Sequence, residues 1–554
     1  MARRIRWQIV IAALSALLVA GLLGRLALLS TSVASPLQGG SYIEALVGAP
    51  QQPVPLLNDP LTDPSGAALI TLLFDGLLRI GADGLIEPAL AADYQLDATG
   101  EVYTFQLRRD VRWHDGTPFT ADDVVFTLRT LQSLDQIGDP LAAQIWQDVL
   151  VDRIDDYTVR ATLSAPLASF PSLARVPMLP AHLLADVPAQ NWPQTDFART
   201  LIGTGPYQLA ELGPEAARLT ANPAYFDGRP YIDTLELRFF TAAQAAAAAL
   251  GRGELSAYGE RAGATLAAQD LPADLQLRSA PLDEYATLTM NMRTAPLDQL
   301  PLRRALAYAT SRDALIERVL NGLATPLDRP ILVGSWAYDP LLEGYPYDPA
   351  RAVQLLGEIG YEPSVGGTRA RDGRPLRLEL IVDREPRRLA AAEEIARQWA
   401  EIGVAVDVVP LEPLELLARL QQRDFTLALH SWARIGPDPD AFALWHSSQA
   451  DTGLNYAGLA DPQIDTLLED ARRESELAQR SVLYADFQDR WMELAPSLTL
   501  FQSRYYIALD ARVGGITFDD PQLGQQMLYG VEDRYRTVRR WFTDSYREIE
   551  GDLE

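Results

Sequence analysis

Beyond Gly40 the apolar positions of this chain switch repeatedly between the period of a strand and that of a helix. Tyr103, Phe105 and Leu107 alternate with Thr104, Gln106 and Arg108, the two-residue period of a half-buried strand. His114-Asp115-Gly116-Thr117-Pro118 then reads as a turn. Thr120 is placed to cap a helix. Asp122 and Asp123 sit in its first turn, where carboxylates meet the positive end of the helix dipole, and Val124, Val125, Leu128 and Leu131 form its apolar face.

Two later helices start with one device. Asp348-Pro349 puts a cap and a first-turn proline ahead of Ala352, Val353, Leu355, Leu356 and Ile359, with Gly360 as the stop. Asp461-Pro462 does the same ahead of Ile464, Leu467 and Leu468. Thr241 is expected to open an alanine-rich helix that ends at Gly251. The clearest unit spans 377–409. Leu378–Val382 reads as a strand, Leu389–Ile402 as a helix closed by Gly403, and Val404–Val409 as a second strand. A strand–helix–strand of this length is a βαβ crossover, so part of the chain forms a parallel sheet. At 554 residues the chain is about four times the ~150-residue size of one domain. The expected class is α/β, with mixed sheets and more than one lobe.

The amino terminus has a different pattern. Arg3, Arg4 and Arg6 precede an apolar run from Ile9 to Gly24, and Arg25 interrupts it before Leu26–Leu29. This is the pattern of an export signal, with Ser32-Val33-Ala34 as the small-residue site for cleavage. Ile9–Leu29 is also long enough to stay as a membrane anchor if Arg25 snorkels. Residues 1–34 are therefore a signal peptide or an anchor, and the rest faces outside the cell membrane.

Composition narrows the chemistry. There is no cysteine, which excludes disulfides, thiolate nucleophiles, cysteine metal sites and a lipid anchor. There is no lysine either, so all 48 basic residues are arginine, and Schiff-base and P-loop lysines are excluded. The net charge of −26 argues against a nucleic-acid partner, which needs basic surface. His114, His182, His430 and His446 are scattered without ligand spacing, so no metal and no cofactor are expected. With no GxSxG elbow and no paired metal ligands, nothing beyond abundant Asp and Glu supports a hydrolase, and the chain is not expected to be an enzyme.

Several blocks together are more specific. The stretch 85–131, LIEPALAADYQLDATGEVYTFQLRRDVRWHDGTPFTADDVVFTLRTL, resembles the signature block of the family 5 extracellular solute-binding proteins, the peptide, nickel and oligosaccharide receptors of ABC importers. GTGPYQL (203–209), ANPAYFDGRPYIDTLELRFF (221–240), LRRALAYATSRDALIERVLNG (302–322), YPYDPARAVQLLGEIGY (345–361) and NYAGLADPQIDTLLEDAR (455–472) follow in that family's order. The resemblance covers roughly residues 41–515. It implies two lobes with a hinge and an enclosed ligand. Residues 41–78, 200–285 and 498–540 would form lobe I, 79–199 a subdomain of it, and 286–497 lobe II. Two chain crossings, near Tyr285–Arg293 and Leu498–Arg504, would form the hinge. The function implied is capture of an organic solute, an oligopeptide first and an oligosaccharide second, by a monomer that delivers it to an ABC permease. A tethered signalling receptor is the rival reading.

Ser431–His446, SWARIGPDPDAFALWH, resembles the loop that lines the ligand cleft in this family. In peptide receptors the pattern is Trp, two small residues and an Asp that binds the ligand ammonium, then a turn ending in Asp-Pro. Aligned on Trp432 and Asp438-Pro439, the ammonium position is Ile435. Losing one partner of a closed charge pair costs ~2–5 kcal/mol, against about 8 kcal/mol for micromolar binding. Free peptide N-termini should therefore bind poorly unless Asp75, Asp438 or Asp440 substitutes, though Asp438 and Asp440 are also placed to brace the loop. Trp432, Trp445 and Tyr456 are the expected cleft aromatics, with core packing as the alternative, most evenly balanced for Trp445. Arg434 would pair with a ligand carboxylate or hydroxyls, and Asn455 would bond ligand or brace its own loop.

Overall fold

The structure is a computed structural model and describes residues 14, 15, 19, 32–133, 145–267, 271–433, 435–516 and 526–549. The export segment therefore lies almost wholly outside the described residues, as does Arg434.

One mixed sheet of eleven strands runs through the molecule. In chain order its strands are β1 (Ser41–Val47), β2 (Tyr207–Leu212), β3 (Ala216–Ala221), β4 (Thr234–Phe240), β5 (Ala257–Arg261), β6 (Leu275–Met290), β7 (Ala324–Pro326), β8 (Arg377–Asp383), β9 (Ala405–Leu411), β10 (Leu427–Ala433) and β11 (Ser497–Asp510). Their spatial order is β9-β8-β10-β6-β11-β5-β1-β4-β3-β2, with β7 added on β11. β1 runs parallel to β4 and β5, and β8 parallel to β9 and β10, while β6 pairs antiparallel with both β10 and β11. The expected βαβ unit is thus present as β8, helix Pro386–Glu401 and β9. Its helix starts three residues before Leu389, because Glu385 caps it by accepting from the Arg388 amide at 2.8 Å ahead of a first-turn proline.

The two Asp-Pro helix starts hold for the same capping reasons. Asp348 accepts from the Arg351 amide at 2.9 Å at the head of Pro349–Glu358. Asp461 accepts from Gln463 and Ile464 at the head of Pro462–Arg473. The helix Ala121–Ser133 is closed at its start by Asp123, which accepts from the Thr120 amide at 2.9 Å. The alanine-rich helix is Ala243–Gly251 and begins after Thr241, with no side-chain cap.

β6 and β11 carry two cores. β6 sends Ala280 and Leu282 into a first core with Leu73, Trp113, Leu235 and Trp541, as β11 does with Tyr505, Ile507 and Leu509. A few residues along, Ala286, Leu288 and Met290 of β6 and Leu498, Leu500 and Phe501 of β11 enter a second core with Leu302, Leu378 and Trp399. The ladder between the two strands breaks register at Pro281/Tyr285, where the cores change over. The first core also takes in the four-stranded antiparallel sheet Ala91–Leu96, Val102–Leu107, Leu150–Asp155 and Thr158–Thr162. A third, mainly helical core surrounds Trp491.

Candidate binding cleft

Two walls of candidate residues meet at the cluster around Tyr285 of β6. The second-lobe wall is built by β10. Its period-2 pattern buries Leu427 and Leu429 in the second core and turns His430 and Trp432 to the other face. Trp432 stacks on Tyr456 at 5.5 Å with the planes 14° apart, and Arg423 lies 5.0 Å over the Tyr456 ring. Across the ladder Trp432 is paired with Tyr285 of β6, whose buried hydroxyl lacks a hydrogen-bond partner.

Ile435 comes next on the same wall. It packs against a cluster of Ile80, Tyr285, Leu327, Leu332, Met527 and Tyr529, drawn from both lobes, so the walls touch here. The next residue, Gly436, donates its amide to Asp283 Oδ2 at 2.8 Å, which ties the loop to β6. An apolar side chain at 435 suits this contact, and a carboxylate there would be desolvated among apolar groups.

The two loop aspartates are engaged by arginines. Asp438 accepts from Arg480 at 2.5 and 2.7 Å, a bidentate pair with both side chains nearly buried. Burial raises the Asp438 carboxyl above its ordinary range against the pull of Arg480. Asp440 accepts from Arg472 at 3.0 and 2.8 Å and from Ser169 at 3.4 Å. Ala168 also donates its amide to the Arg472 carbonyl at 2.8 Å, so residues 168–169 are tied to both members of this pair. These are bracing contacts.

Trp445 and Asn455 take the packing and bracing roles that were their alternatives. Trp445 is 4% exposed and meets Trp491 edge-on at 5.3 Å, because the four-residue helix Phe442–Trp445 turns it into the third core. Asn455 is fully buried. Its amide donates to the carbonyls of His446 (3.1 Å) and Leu459 (2.8 Å) and accepts from the Leu459 amide (3.1 Å), so it braces its own loop.

The first-lobe wall carries charge. Asp75 lies just past helix Pro64–Leu73 and accepts from the hydroxyls of Tyr225 (3.0 Å, Oδ1) and Thr204 (3.1 Å, Oδ2). The flanking glycines of Thr204 allow this approach, since a Cβ at Gly203 would lie 1.8 Å from the Leu73 carbonyl oxygen and one at Gly205 2.5 Å from its carbon. Burial pushes the Asp75 carboxyl up to about 6. The Tyr225 bond, Arg79 and the Thr204 bond pull it down, and Asp227 adds to the rise. Asp75 lines a cavity of about 210 Å³ with Arg79, Arg175, Tyr225, Tyr529 and Arg536, among others. Ile80 and Tyr529 belong to both the cavity and the bridging cluster, which places the cavity beside the point where the walls meet. A larger cavity of about 590 Å³, around Gly251–Ser256 and Asp510–Arg512, shares no residue with either wall. Tyr529 and Arg536 gave no signal in the sequence, and Tyr285 was marked only as a hinge position; contacts remote along the chain bring them together.

A two-lobed, mixed-sheet molecule with a charged wall and an aromatic wall at its strand crossing defines a solute-binding protein. The chain belongs to the family described as bacterial extracellular solute-binding proteins, family 5 Middle, whose pattern it matches over residues 86–453. It is 27% identical to the dipeptide-binding protein of Escherichia coli (strain K12), over 89% of this chain and 95% of that one. It is 29% identical to heme-binding protein A of Haemophilus influenzae, over 80% and 84% of the two chains. The oligopeptide-binding protein AppA of Bacillus subtilis, solved in complex with a nonapeptide, superposes with a TM-score of 0.68 at 25% identity, over 92% of this chain and 99% of that one. Among the described residues no helix is long and apolar enough to cross a membrane.

Proposed function

We propose that this protein captures an oligopeptide between its lobes and delivers it to the membrane permease of an ABC importer, without altering it. The observation that carries this reading is Asp75. Of the three candidate carboxylates, Asp438 and Asp440 are held by arginines, whereas Asp75 accepts only neutral hydroxyls and lines the cavity that shares Ile80 and Tyr529 with the cluster Trp432 packs against. It takes the role that the family pattern gives to position 435 and receives the peptide ammonium, while the aromatic pair receives an apolar side chain. Names of relatives that bind dipeptides and a nonapeptide support the ligand class.

The lobes we assign are 41–78, 200–285 and 498–540, with the subdomain 79–199, against 286–497. The change of core along β6 and β11 supports this division, and the register break at Pro281/Tyr285 supports a hinge there. The amino-terminal segment is retained as an anchor in this reading. Strand Ser32–Pro36 pairs residue for residue with Ser545–Ile549, and cleavage after Ala34 would remove three of those five pairs. Mass analysis of the membrane-associated protein tests this, and a chain beginning at Ser35 would refute it.

Thermal-shift titration with tri- to pentapeptides, then small-angle scattering, tests the function. Peptide is expected to raise the melting temperature by mass action and to reduce the radius of gyration. No shift with any peptide but a shift with oligosaccharides would move the assignment to sugars, and an unchanged radius at saturation would refute hinge closure.

A further inference from the structure

The cavity beside Asp75 contains a second charge feature that the ammonium site leaves unexplained. Arg536 lines it with its side chain only 5% exposed. Its Nη2 donates to the Met527 carbonyl at 2.5 Å and to Asp533, and its Nε donates to the Asp533 carbonyl at 3.4 Å. Its Nη1 is buried with no hydrogen-bond partner. A buried guanidinium N–H left unpaired is costly, and its preferred partner is a carboxylate oxygen. Four arginines (79, 175, 536 and 539) and three carboxylates (Asp75, Glu532 and Asp533) line the cavity. Asp533 is already paired with Arg536.

We propose that Arg536 forms a carboxylate-binding subsite next to the ammonium site at Asp75, so that the protein selects peptides with an acidic residue at the amino terminus. The inference rests on the peptide reading above. Both groups line one cavity of about 210 Å³, a space that suits an ammonium and a carboxylate carried by one residue.

Calorimetry on the full chain with Glu-Ala-Ala, Gln-Ala-Ala and Gln-Ala-Ala-amide tests this. The wild type is expected to bind Glu-Ala-Ala at least tenfold more tightly than Gln-Ala-Ala, and Arg536→Gln to bring the two within twofold. Arg536→Lys, which keeps the charge without the planar fork, is expected to retain part of the preference and guards against misfolding of the first variant. Equal wild-type binding of the first two peptides overturns the subsite, as does a preference that survives in Arg536→Gln. A preference only for Gln-Ala-Ala over its amide overturns it too, since the carboxylate would then be the carboxyl terminus. If no peptide binds, the peptide reading fails, and glutarate decides the subsite. A melting-temperature rise in wild type but not in Arg536→Gln sustains it, and no rise overturns it.

Discussion

The two walls of the cleft solve opposite problems. On the second lobe the two loop aspartates are closed off: Asp438 by Arg480, Asp440 by Arg472 and Ser169. What remains there is the half-buried Trp432, stacked on the buried Tyr456, and the apolar Ile435. On the first lobe, by contrast, Asp75 is half-buried with hydroxyl partners alone, and Arg536 has an unpaired donor. Carboxylates in one cleft thus serve two ends. One kind holds a loop, and the other accepts only from hydroxyls.

The sharpest way to break this comparison is to exchange the fates of Asp438 and Asp75. Asp438→Ala leaves Arg480 charged and buried without its partner, and is expected to lower unfolding free energy by ~3–5 kcal/mol in urea titration. Asp75→Asn is expected to leave the fold intact and to weaken binding of a free-ammonium peptide by ~2–5 kcal/mol, read by calorimetry. Similar losses of stability in both variants would erase the distinction.

Acidity sharpens it next. With its folded value raised from the ordinary 3.8 to about 6, Asp75 makes the folded state hold more protons between those limits. Its contribution to stability therefore falls as pH rises from about 4 to about 6, and Asp75→Asn should remove that slope in pH-dependent unfolding. An ammonium ligand prefers the ionised carboxylate, so wild-type affinity should rise about tenfold from pH 5 to pH 7. A flat profile would place the ammonium elsewhere.

Smaller effects test the aromatic wall and the fastening between lobes. Trp432→Ala is expected to lose ~0.5–1.5 kcal/mol of affinity for a peptide with an apolar side chain, by calorimetry. Arg472→Ala opens a partly exposed pair and should cost only ~0–1 kcal/mol, visible as a slightly larger radius of gyration in scattering at saturating peptide.

How legible this was in the sequence depended on range. The strand Val102–Leu107, the βαβ unit and the Asp-Pro helix starts were readable because period and capping act over a few residues. The loop 431–446 was readable as a stretch but not residue by residue. A four-residue helix has too little period to show which way Trp445 points, and only the fold brings Trp491 against it. Asp75 was named from its charge alone. Its environment comes from Tyr225, 150 positions away, and Thr204, 129 positions away, and no local pattern encodes such contacts. Arg536 sits in a 3-10 turn, Glu532–Arg540, where its charge reads as ordinary surface.

Isothermal titration of trialanine and N-acetyl-trialanine into wild type and Asp75→Asn is the most direct test of the account. Wild type should bind the free peptide and lose at least tenfold on acetylation, and the Asn variant should treat the two peptides alike. If acetylation changes nothing in wild type, or if the variant still prefers the free amine, Asp75 is not the ammonium site.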